Sequence, residues 1–497
     1  MEINQQISGF RLIEERSVPE TDSLGRLFIH EKSGARLLQL ANNDSNKVFG
    51  IGFRTPSENS TGVAHILEHS VLNGSRKYRT KEPFMDLLRS SLSTFLNAMT
   101  FSDKTIYPVA SQNDKDFDHL MDVYLDAVFH PAIYETKEIF LQEGWHYHIE
   151  KPEDDLTYRG VVYNEMRGAL SSADAQVTDQ ILSCLYPDTI YGKESGGDPY
   201  EIPSLSYEAF LDFHRRLYHP SNSYIFIYGD GDIEHFLSHI DAEYLSHYDK
   251  EEVDSSISWQ DAFAKPQEVK VTYSVAPDAD TTDKDFLAYA VSLGTRKAPA
   301  DIFVEEVLSE VLVDSQAGPV KNALLAAGIG EDVSAFSNDG LQIPFGIIAK
   351  ETDAAKRDDF VRIVEDTLRG LVRDGIDKDL LTAAVNKMEY ALREAEGYTT
   401  RGIIYYINAF ETWLYDGDPF EALSYNDTLS ALRANIASDY YERYIEERIL
   451  NNPHKVILTA RPQPGLNDEK DAAIAEQLAA YKAVSYTHLR AHETDSY

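Results

Sequence analysis

The segment His65-Ile66-Leu67-Glu68-His69 decides how the rest of this chain is interpreted. Residues four apart lie one turn above each other on a helix, so both imidazoles can reach a single metal ion. Glu68 comes directly before His69, and its carboxylate can approach a water on that ion without binding the ion itself. This arrangement, H-x-x-E-H, is the inverted motif of zinc hydrolases. The segment therefore predicts two metal ligands on a helix, with a base beside them.

The residues around the motif favour a helix. Ser60 or Thr61 can cap its start, Ile66 and Leu67 give it a buried side, and Asn73-Gly74 can end it. An amphipathic helix with exposed histidines would carry the same pattern, so the motif alone leaves two interpretations open. A third protein ligand would separate them, because a catalytic zinc usually has three and leaves the fourth position to water.

A candidate for the third ligand lies far downstream. No other residue within 61 to 74 can supply it. Residues 159–168 have apolar side chains at helical spacing, and Glu165 projects from that pattern. Glu165 is therefore a candidate for the third ligand.

Four runs of the sequence occur in the order found in a known family. They are His65-x-x-Glu68-His69, Val162-Tyr163-Asn164-Glu165-Met166, Ser195-Gly196-Gly197-Asp198-Pro199 and Tyr218-His219-Pro220-Ser221-Asn222. In these runs, and over roughly residues 5 to 484, the chain resembles the presequence-protease branch of the pitrilysin/insulinase metallopeptidases. The resemblance implies that His65, His69 and Glu165 bind Zn²⁺, that Glu68 is the general base, and that unstructured peptides are the substrates.

The chemistry of these residue types agrees with that implication. Neutral imidazoles and one carboxylate suit zinc, which lowers the pKa of its bound water toward about 7. Glu68 would then take the water's proton and later pass it to the leaving amine.

The segment from Leu96 to Tyr107 is expected to bind substrate. Its pattern predicts the end of a helix, followed by a strand and a turn. In the resembled family, the stretch that matches Asn97 and Ala98 is a sheet edge to which the peptide adds as an extra strand. Such pairing uses backbone hydrogen bonds and tolerates many sequences. The alternative is an ordinary interior strand in which Asn97 forms a local turn.

Composition limits the classes of partner. The chain has 497 residues, of which 43% are hydrophobic, so it can bury a large core and is expected to form two or three domains. Its net charge of -37 argues against nucleic acid and anionic membranes as partners. The charge could favour basic peptides, or it could simply be solvated surface.

The expected location is the cytoplasm. The single cysteine, Cys184, cannot form an intrachain disulfide, which suits a reducing compartment. Residues 1–6 have no basic region followed by an apolar run, and no stretch is long enough to span a bilayer.

Two similar halves are expected. Strand-like and helical patterns mix in residues 1–250, a polar linker follows at 251–266, and the mixture repeats in 267–484 without histidine at 302–313. We predict an α+β fold of two homologous domains, the first catalytic and the second non-catalytic. The resemblance implies that each is a mostly antiparallel sheet packed with helices.

The end of the sequence departs from the resembled family. Residues 468–484 have helical composition, whereas 485–497 change abruptly and are expected to be a non-native tail, so His488 and His492 are not used as ligands. The family's C-terminal half is absent from this sequence, and the resemblance implies that it closes the chamber as a partner. The alternative function is a non-catalytic or heterodimer-forming peptide-binding subunit. The intact Glu68 argues against that alternative, because a binding subunit needs no base.

Overall fold

Two large β-sheets, one in each half of the chain, organise the fold. The computed structural model describes residues 1–80, 83–297, 300–394 and 400–494, with the side chains of 394 and 485–494 outside the description. Of the predicted tail, residues 495–497 lie outside the described residues, and the backbone of 485–494 continues the last helix. Within the described ranges, no helix is both long and apolar enough to cross a membrane.

The elements of the first half fall between residues 6 and 243. The strands are β1 (Gln6–Ile7), β2 (Phe10–Val18), β3 (Ser23–His30), β4 (Arg36–Ala41), β5 (Lys47–Arg54), β6 (Ser93–Leu96), β7 (Met99–Thr100), β8 (Lys104–Ser111), β9 (His146–His148), β10 (Thr157–Arg159) and β11 (Ser223–Gly229). The helices are α1 (Val63–Val71), α2 (Pro83–Ser90), α3 (Asp114–Phe129), α4 (Lys137–Glu143), α5 (Val161–Ala169), α6 (Ala173–Leu185), α7 (Tyr207–Leu217) and α8 (Ile233–Glu243).

Nine of these strands form one sheet. Its order is β1-β2-β3-β4-β11-β5-β8-β6, with the short β7 also paired to β8. Only the pair of β4 and β11 is parallel among them. β9 and β10 form a separate antiparallel hairpin. β6 and β7 therefore lie along one edge of the large sheet.

The elements of the second half follow residue 266. The strands are β12 (Gln267–Val275), β13 (Asp285–Thr295), β14 (Asp332–Phe336), β15 (Gln342–Thr352) and β16 (Lys455–Pro464). The helices are α9 (Ala300–Ser309), α10 (Pro319–Ala326), α11 (Arg357–Asp374), α12 (Lys378–Glu394), α13 (Arg401–Trp413), α14 (Asn426–Asn435), α15 (Tyr440–Tyr444) and α16 (Leu466–Thr494). Residues 251–266, all of them described, contain neither helix nor strand.

The second sheet repeats the topology of the first. Its order is β12-β16-β13-β15-β14, and only β12 and β16 are parallel. The strands β12, β16, β13 and β15 thus match β4, β11, β5 and β8 in order and direction. The predicted α+β fold of two similar, mostly antiparallel domains is confirmed. Helix α9 follows β13 as α1 follows β5, and α9 contains no histidine.

Strand β5 lies between two cores. Phe49, Ile51 and Phe53 point to the face that is covered by helices of the first half. Because successive strand residues point to opposite faces, Gly50 and Gly52 point to the other face. That second face packs against α13, which belongs to the second half of the chain.

The two halves exchange one helix each. While α13 packs on β5, β8 and β11, helix α6 of the first half packs on β12, β13 and β16 of the second sheet. The shared core contains Val177 and Ile181 from α6 together with Ile403, Tyr406 and Phe410 from α13. Each sheet is therefore covered on one face by a helix from the opposite half.

The glycines of β5 allow α13 to approach closely. A Cβ on Gly50 would lie 2.4 Å from the ring of Tyr406, and one on Gly52 would lie 2.8 Å from the ring of Phe410. Glycine usually weakens the interior of a strand, but in β5 it allows the rings of α13 to contact the strand backbone.

A buried carboxylate adds a polar link between the halves. Asp103, which is 2% exposed, accepts hydrogen bonds from the hydroxyls of Tyr191 at 2.7 Å and Tyr415 at 2.6 Å. The Tyr191 hydroxyl also accepts the N–H of Leu341. Burial acts to raise the pKa of Asp103, but Lys104 and the two hydroxyls outweigh it and lower the pKa below its usual value. Removing Asp103 would leave the Lys104 charge buried without the carboxylate that lies 3.5 Å from its Nζ.

One predicted helix is shorter than expected. The sequence predicts a helix over 81–95, but residues 81 and 82 lie outside the described residues and α2 ends at Ser90. Leu96 was expected at the end of a helix, and this is wrong, because it ends strand β6. The run Ser93-Thr94-Phe95-Leu96 pairs with β8, and such sheet pairing overrides weak helical patterning.

Replacing Gly50 by alanine tests whether α13 packs directly against the backbone of β5. We expect Gly50→Ala to lower the free energy of unfolding by about 1–3 kcal/mol, because the new methyl group overpacks against Tyr406. Gly370→Ala in α11 is the matched control, since a Cβ there meets nothing within 4 Å. That change should raise stability by up to about 1 kcal/mol. Urea unfolding measures both, and an unchanged or increased stability of Gly50→Ala would contradict the packing.

Candidate active site

Helix α1 presents His65 and His69 side by side. The helix packs against α4, α7 and β7, and it buries Ile66 and Leu67 completely. The imidazole side chains are only 12% and 26% exposed, and their ring centroids lie 5.0 Å apart. The predicted helical pair is therefore present, with both rings on the side opposite the buried aliphatic residues.

The start of α1 differs from the prediction. Gly62 is the N-cap in a left-handed conformation, and neither Ser60 nor Thr61 caps the helix with its side chain. A Cβ on Gly62 would lie 2.8 Å from the carbonyl oxygen of Gly196, so a glycine is required for the close approach. The N–H of Asp198 also donates to the Ser60 carbonyl at 2.8 Å. The Ser60 hydroxyl accepts the N–H of Glu194 at 3.1 Å, so Ser60 ties the start of α1 to the loop at 194–198 and does not cap the helix.

The Nδ1 atom of each imidazole is hydrogen-bonded to an oxygen of the protein. His65 Nδ1 lies 2.9 Å from the carbonyl oxygen of Gly196, and His69 Nδ1 lies 3.3 Å from a carboxylate oxygen of Glu143. Both contacts require a proton on Nδ1, which leaves the lone pair of the neutral ring on Nε2. Glu143 is itself buried and accepts a hydrogen bond from the Gln142 amide at 2.9 Å. The two Nε2 atoms are therefore oriented to bind a metal.

Glu165 reaches the two imidazoles from α5. Its Oε2 lies 3.8 Å from His65 Nε2 and 3.8 Å from His69 Nε2. Three ligands of one tetrahedral zinc, each about 2.0–2.1 Å from the ion, lie roughly 3.4 Å from one another. The observed separations are close to that value. The structure thus brings together all three residues that the sequence suggested as ligands.

Glu68 lies beside the group and is held by its own partner. The hydroxyl of Thr100 donates to Glu68 Oε2 at 2.9 Å. Burial raises the pKa of the Glu68 carboxyl, although His69, His65 and Thr100 pull it in the opposite direction. A carboxylate with a raised pKa is a better proton acceptor, which suits a general base.

The charges around His69 also affect its pKa. Burial lowers the pKa of the imidazole, but the hydrogen bond to Glu143 and the charges of Glu68 and Glu143 outweigh burial, so the net pKa is raised.

The donor set fits zinc. The ligand atoms of His65, Glu68 and His69 lie within 4.8 Å of one another, and no second such group occurs in the part of the chain that is described. Two carboxylates therefore flank the imidazoles. Glu68 already accepts the Thr100 hydroxyl, whereas Glu165 is equidistant from the two Nε2 atoms. Two imidazole nitrogens and one carboxylate oxygen are a known donor set of catalytic zinc.

Asn97 and Ala98 lie between β6 and β7 at the edge of the first sheet. The N–H of Asn97 donates to the carbonyl of Pro108 at 3.3 Å, and its carbonyl accepts the Tyr124 hydroxyl at 3.2 Å. Its backbone groups thus face inward. Thr100, on the same edge, contacts Glu68, so this edge runs beside the metal ligands.

Sequence reasoning missed the partners of the imidazoles. Glu143 ends α4 and has no spacing relationship to the motif that would identify it. Gly196 belongs to a run that was recognised, but a backbone carbonyl carries no residue-specific signal. Thr100 lay within the predicted substrate segment without an assigned role.

Two family models match the chain. Residues 48–148 match a model described as Insulinase (Peptidase family M16), and residues 204–388 match one described as Peptidase M16 inactive domain. The first match contains the motif on α1, and the second includes α9, its counterpart without histidine.

Named relatives align along most of the chain. Protein HypA of Clostridium perfringens is 48% identical over 481 residues, which are 96% of this chain and 49% of the relative. Presequence protease 1, chloroplastic/mitochondrial, of Arabidopsis thaliana is 41% identical over 92% of this chain and 43% of its own length. The mitochondrial presequence protease of Mus musculus is 34% identical over 96% and 46%. The chain spans about half the length of these relatives.

Solved structures share the fold. A protease from Helicobacter pylori matches 88% of this chain and 100% of its own with a TM-score of 0.68 at 14% identity. Pitrilysin matches 92% of this chain and 46% of its own with a TM-score of 0.63 at 17% identity. The family models and the named relatives show that the chain belongs to the pitrilysin/insulinase family of peptidases, as the sequence motifs predicted.

Proposed function

We propose that this chain is the zinc-binding half of an endopeptidase that degrades unstructured peptides. The observation that carries the proposal is the convergence of Glu165 Oε2 with the Nε2 atoms of His65 and His69, each 3.8 Å away. Membership of a peptidase family supports the reaction type. The relatives named presequence proteases support a peptide substrate.

The residues around the ion would share the chemical work. A zinc held by His65, His69 and Glu165 would lower the pKa of a bound water and polarise the scissile carbonyl. Glu68 takes the proton of the attacking water and returns it to the leaving amine. Thr100 orients Glu68, while Glu143 keeps the His69 ring in the tautomer whose Nε2 faces the ion.

The substrate would bind by its backbone. A peptide added along Asn97 and Ala98 would extend the first sheet by one strand beside Glu68. Strand addition requires an extended chain, so a folded protein could not enter this edge without unfolding locally. The proposed substrates are therefore unstructured.

A second candidate function keeps the fold without catalysis. The match of residues 204–388 to a model described as an inactive domain favours a peptide-binding subunit that pairs with another chain. The Thr100–Glu68 hydrogen bond favours the peptidase, because binding alone needs no oriented base. The cytoplasmic location stays a prediction from composition.

Metal analysis tests the ligand set. We expect one zinc per chain, which is lost when His65 and His69 are both replaced by alanine, because one remaining ligand cannot hold a catalytic ion. His146→Ala with His148→Ala is the matched control, since both lie on β9 and neither imidazole belongs to the group around α1, so the zinc content should be unchanged. Stoichiometric zinc in the His65/His69 double variant would remove the assignment.

Replacing Glu68 by glutamine separates the base from the ligands. Glu68→Gln should retain zinc, because Glu165 is the proposed carboxylate ligand, while peptide cleavage falls by at least about 10²-fold. Glu138→Gln on the exposed side of α4 serves as the control and should cleave at the original rate. The assay needs a catalytically complete enzyme. Normal cleavage by Glu68→Gln would mean that another group accepts the proton.

The chain by itself should be a weak peptidase or none. Glu165 is 56% exposed, and an open site lacks the water exclusion and opposing donors that lower the barrier. An unstructured peptide of roughly twenty residues, long enough to form an added strand, would be incubated with this chain alone. A second reaction would contain the chain fused to the part of the Clostridium perfringens relative that it does not match. Faster cleavage by the fusion is expected, and equal rates would show that two domains suffice.

A further inference from the structure

The helix that carries Glu165 is anchored mainly at its first turn. Of the α5 residues, Val162 and Tyr163 are buried. The preceding Gly160 lies against the backbone, since a Cβ there would be 2.0 Å from the carbonyl oxygen of Gly144. Glu165 lies one turn further along and is 56% exposed. In the second turn, Met166 packs half-buried against the core of the first half, and a further contact in that turn would hold the Glu165 backbone more firmly.

Arg167 supplies that contact from the second turn. Its Nη1 and Nη2 donate to the two carboxylate oxygens of Asp471 at 2.9 Å and 2.6 Å. A bidentate pair of this kind fixes orientation as well as distance. The Tyr200 hydroxyl donates to the same carboxylate at 3.4 Å. Asp471 lies on α16, so the pair connects the Glu165 helix to an element that follows the second sheet.

Helix α16 is held at several points along its length. Near its start, the N–H of Asn467 donates to the Ser274 hydroxyl on β12 at 3.1 Å. Leu478 is 4% exposed, and the ring of Tyr481 stacks on Tyr147 of the β9–β10 hairpin at 4.8 Å with an interplanar angle of 11°. Since α16 is attached both to the second sheet and to the hairpin, it can serve as a fixed support for Arg167.

We propose that Arg167 is a positioning residue for the metal site, which holds Glu165 toward the two imidazoles through its pair with Asp471. The inference rests on the proposed zinc function and adds to it a structural dependence on α16. Changes to the partners of metal ligands commonly weaken metal binding by about 10- to 100-fold. Because the Arg167 and Asp471 side chains are 41% and 32% exposed, we expect the lower end of that range.

The test measures zinc affinity and helix mobility in the full 497-residue chain. Zinc is titrated against a chelator of known affinity, and amide hydrogen exchange is followed in the peptide that covers 161–169 of the metal-free protein. Arg167→Ala and Asp471→Ala should each weaken zinc binding about tenfold and accelerate exchange in α5. Arg159→Ala is the matched control. Arg159 ends β10, and it pairs with Glu150 at 3.4 Å and with no described side chain of α16. This variant should change neither the zinc affinity nor the rate of hydrogen exchange in α5.

A double-variant comparison separates positioning from a general loss of stability. In a Glu165→Ala background, Arg167→Ala should weaken zinc binding no further, because the group that it positions is gone. A further tenfold loss there would overturn the proposal. Unchanged zinc affinity in both Arg167→Ala and Asp471→Ala would also overturn it while leaving the zinc function intact. An unmodified chain that binds no zinc would instead refute the proposed function, and the inference with it.

Discussion

The exchange of α6 and α13 between the two halves is the constraint on which the rest of the structure depends. Strand β5 has no room for side chains at Gly50 and Gly52, since the rings of Tyr406 and Phe410 lie against its backbone. The opposite face of β5 belongs to the core beneath α1. The helix that carries His65 thus packs in the core on one face of a sheet whose other face is completed by the second half, so the second domain supports the candidate metal site through this sheet.

The candidate metal site is assembled from segments that are distant in sequence. His65 is oriented by Gly196 and His69 by Glu143, while Thr100 orients Glu68 from the sheet edge. Gly62 makes the first of these contacts sterically feasible. Three of the four runs recognised in the sequence therefore meet around one centre: one contains two candidate ligands and the candidate base, another the third candidate ligand, and a third the carbonyl that accepts from His65 Nδ1.

The sequence predicted those features that depend on local spacing, and it failed where tertiary contacts decide. The His65–His69 pair follows from helical periodicity, and Asn73 does bond the carbonyl at the end of α1, as expected for a helix stop. The predicted cap at Ser60 or Thr61 was wrong because Gly62 takes the N-cap position and the Ser60 hydroxyl accepts the N–H of Glu194. The predicted helix over 81–95 was wrong at its end: α2 stops at Ser90, because residues 93–96 pair with β8. The exchange of α6 and α13 could not be predicted from the sequence, because an amphipathic pattern does not identify the surface against which a helix packs.

The central claim is that one ion is held by His65, His69 and Glu165 while Glu68 stays outside the coordination sphere. Anomalous X-ray diffraction at the zinc edge, from crystals of this chain grown with zinc, tests it most directly. We expect one anomalous peak, within about 2.0–2.2 Å of the Nε2 atoms of His65 and His69 and of a Glu165 oxygen. A peak coordinated by the Glu68 carboxylate in place of Glu165, or a peak elsewhere in the fold, would contradict it.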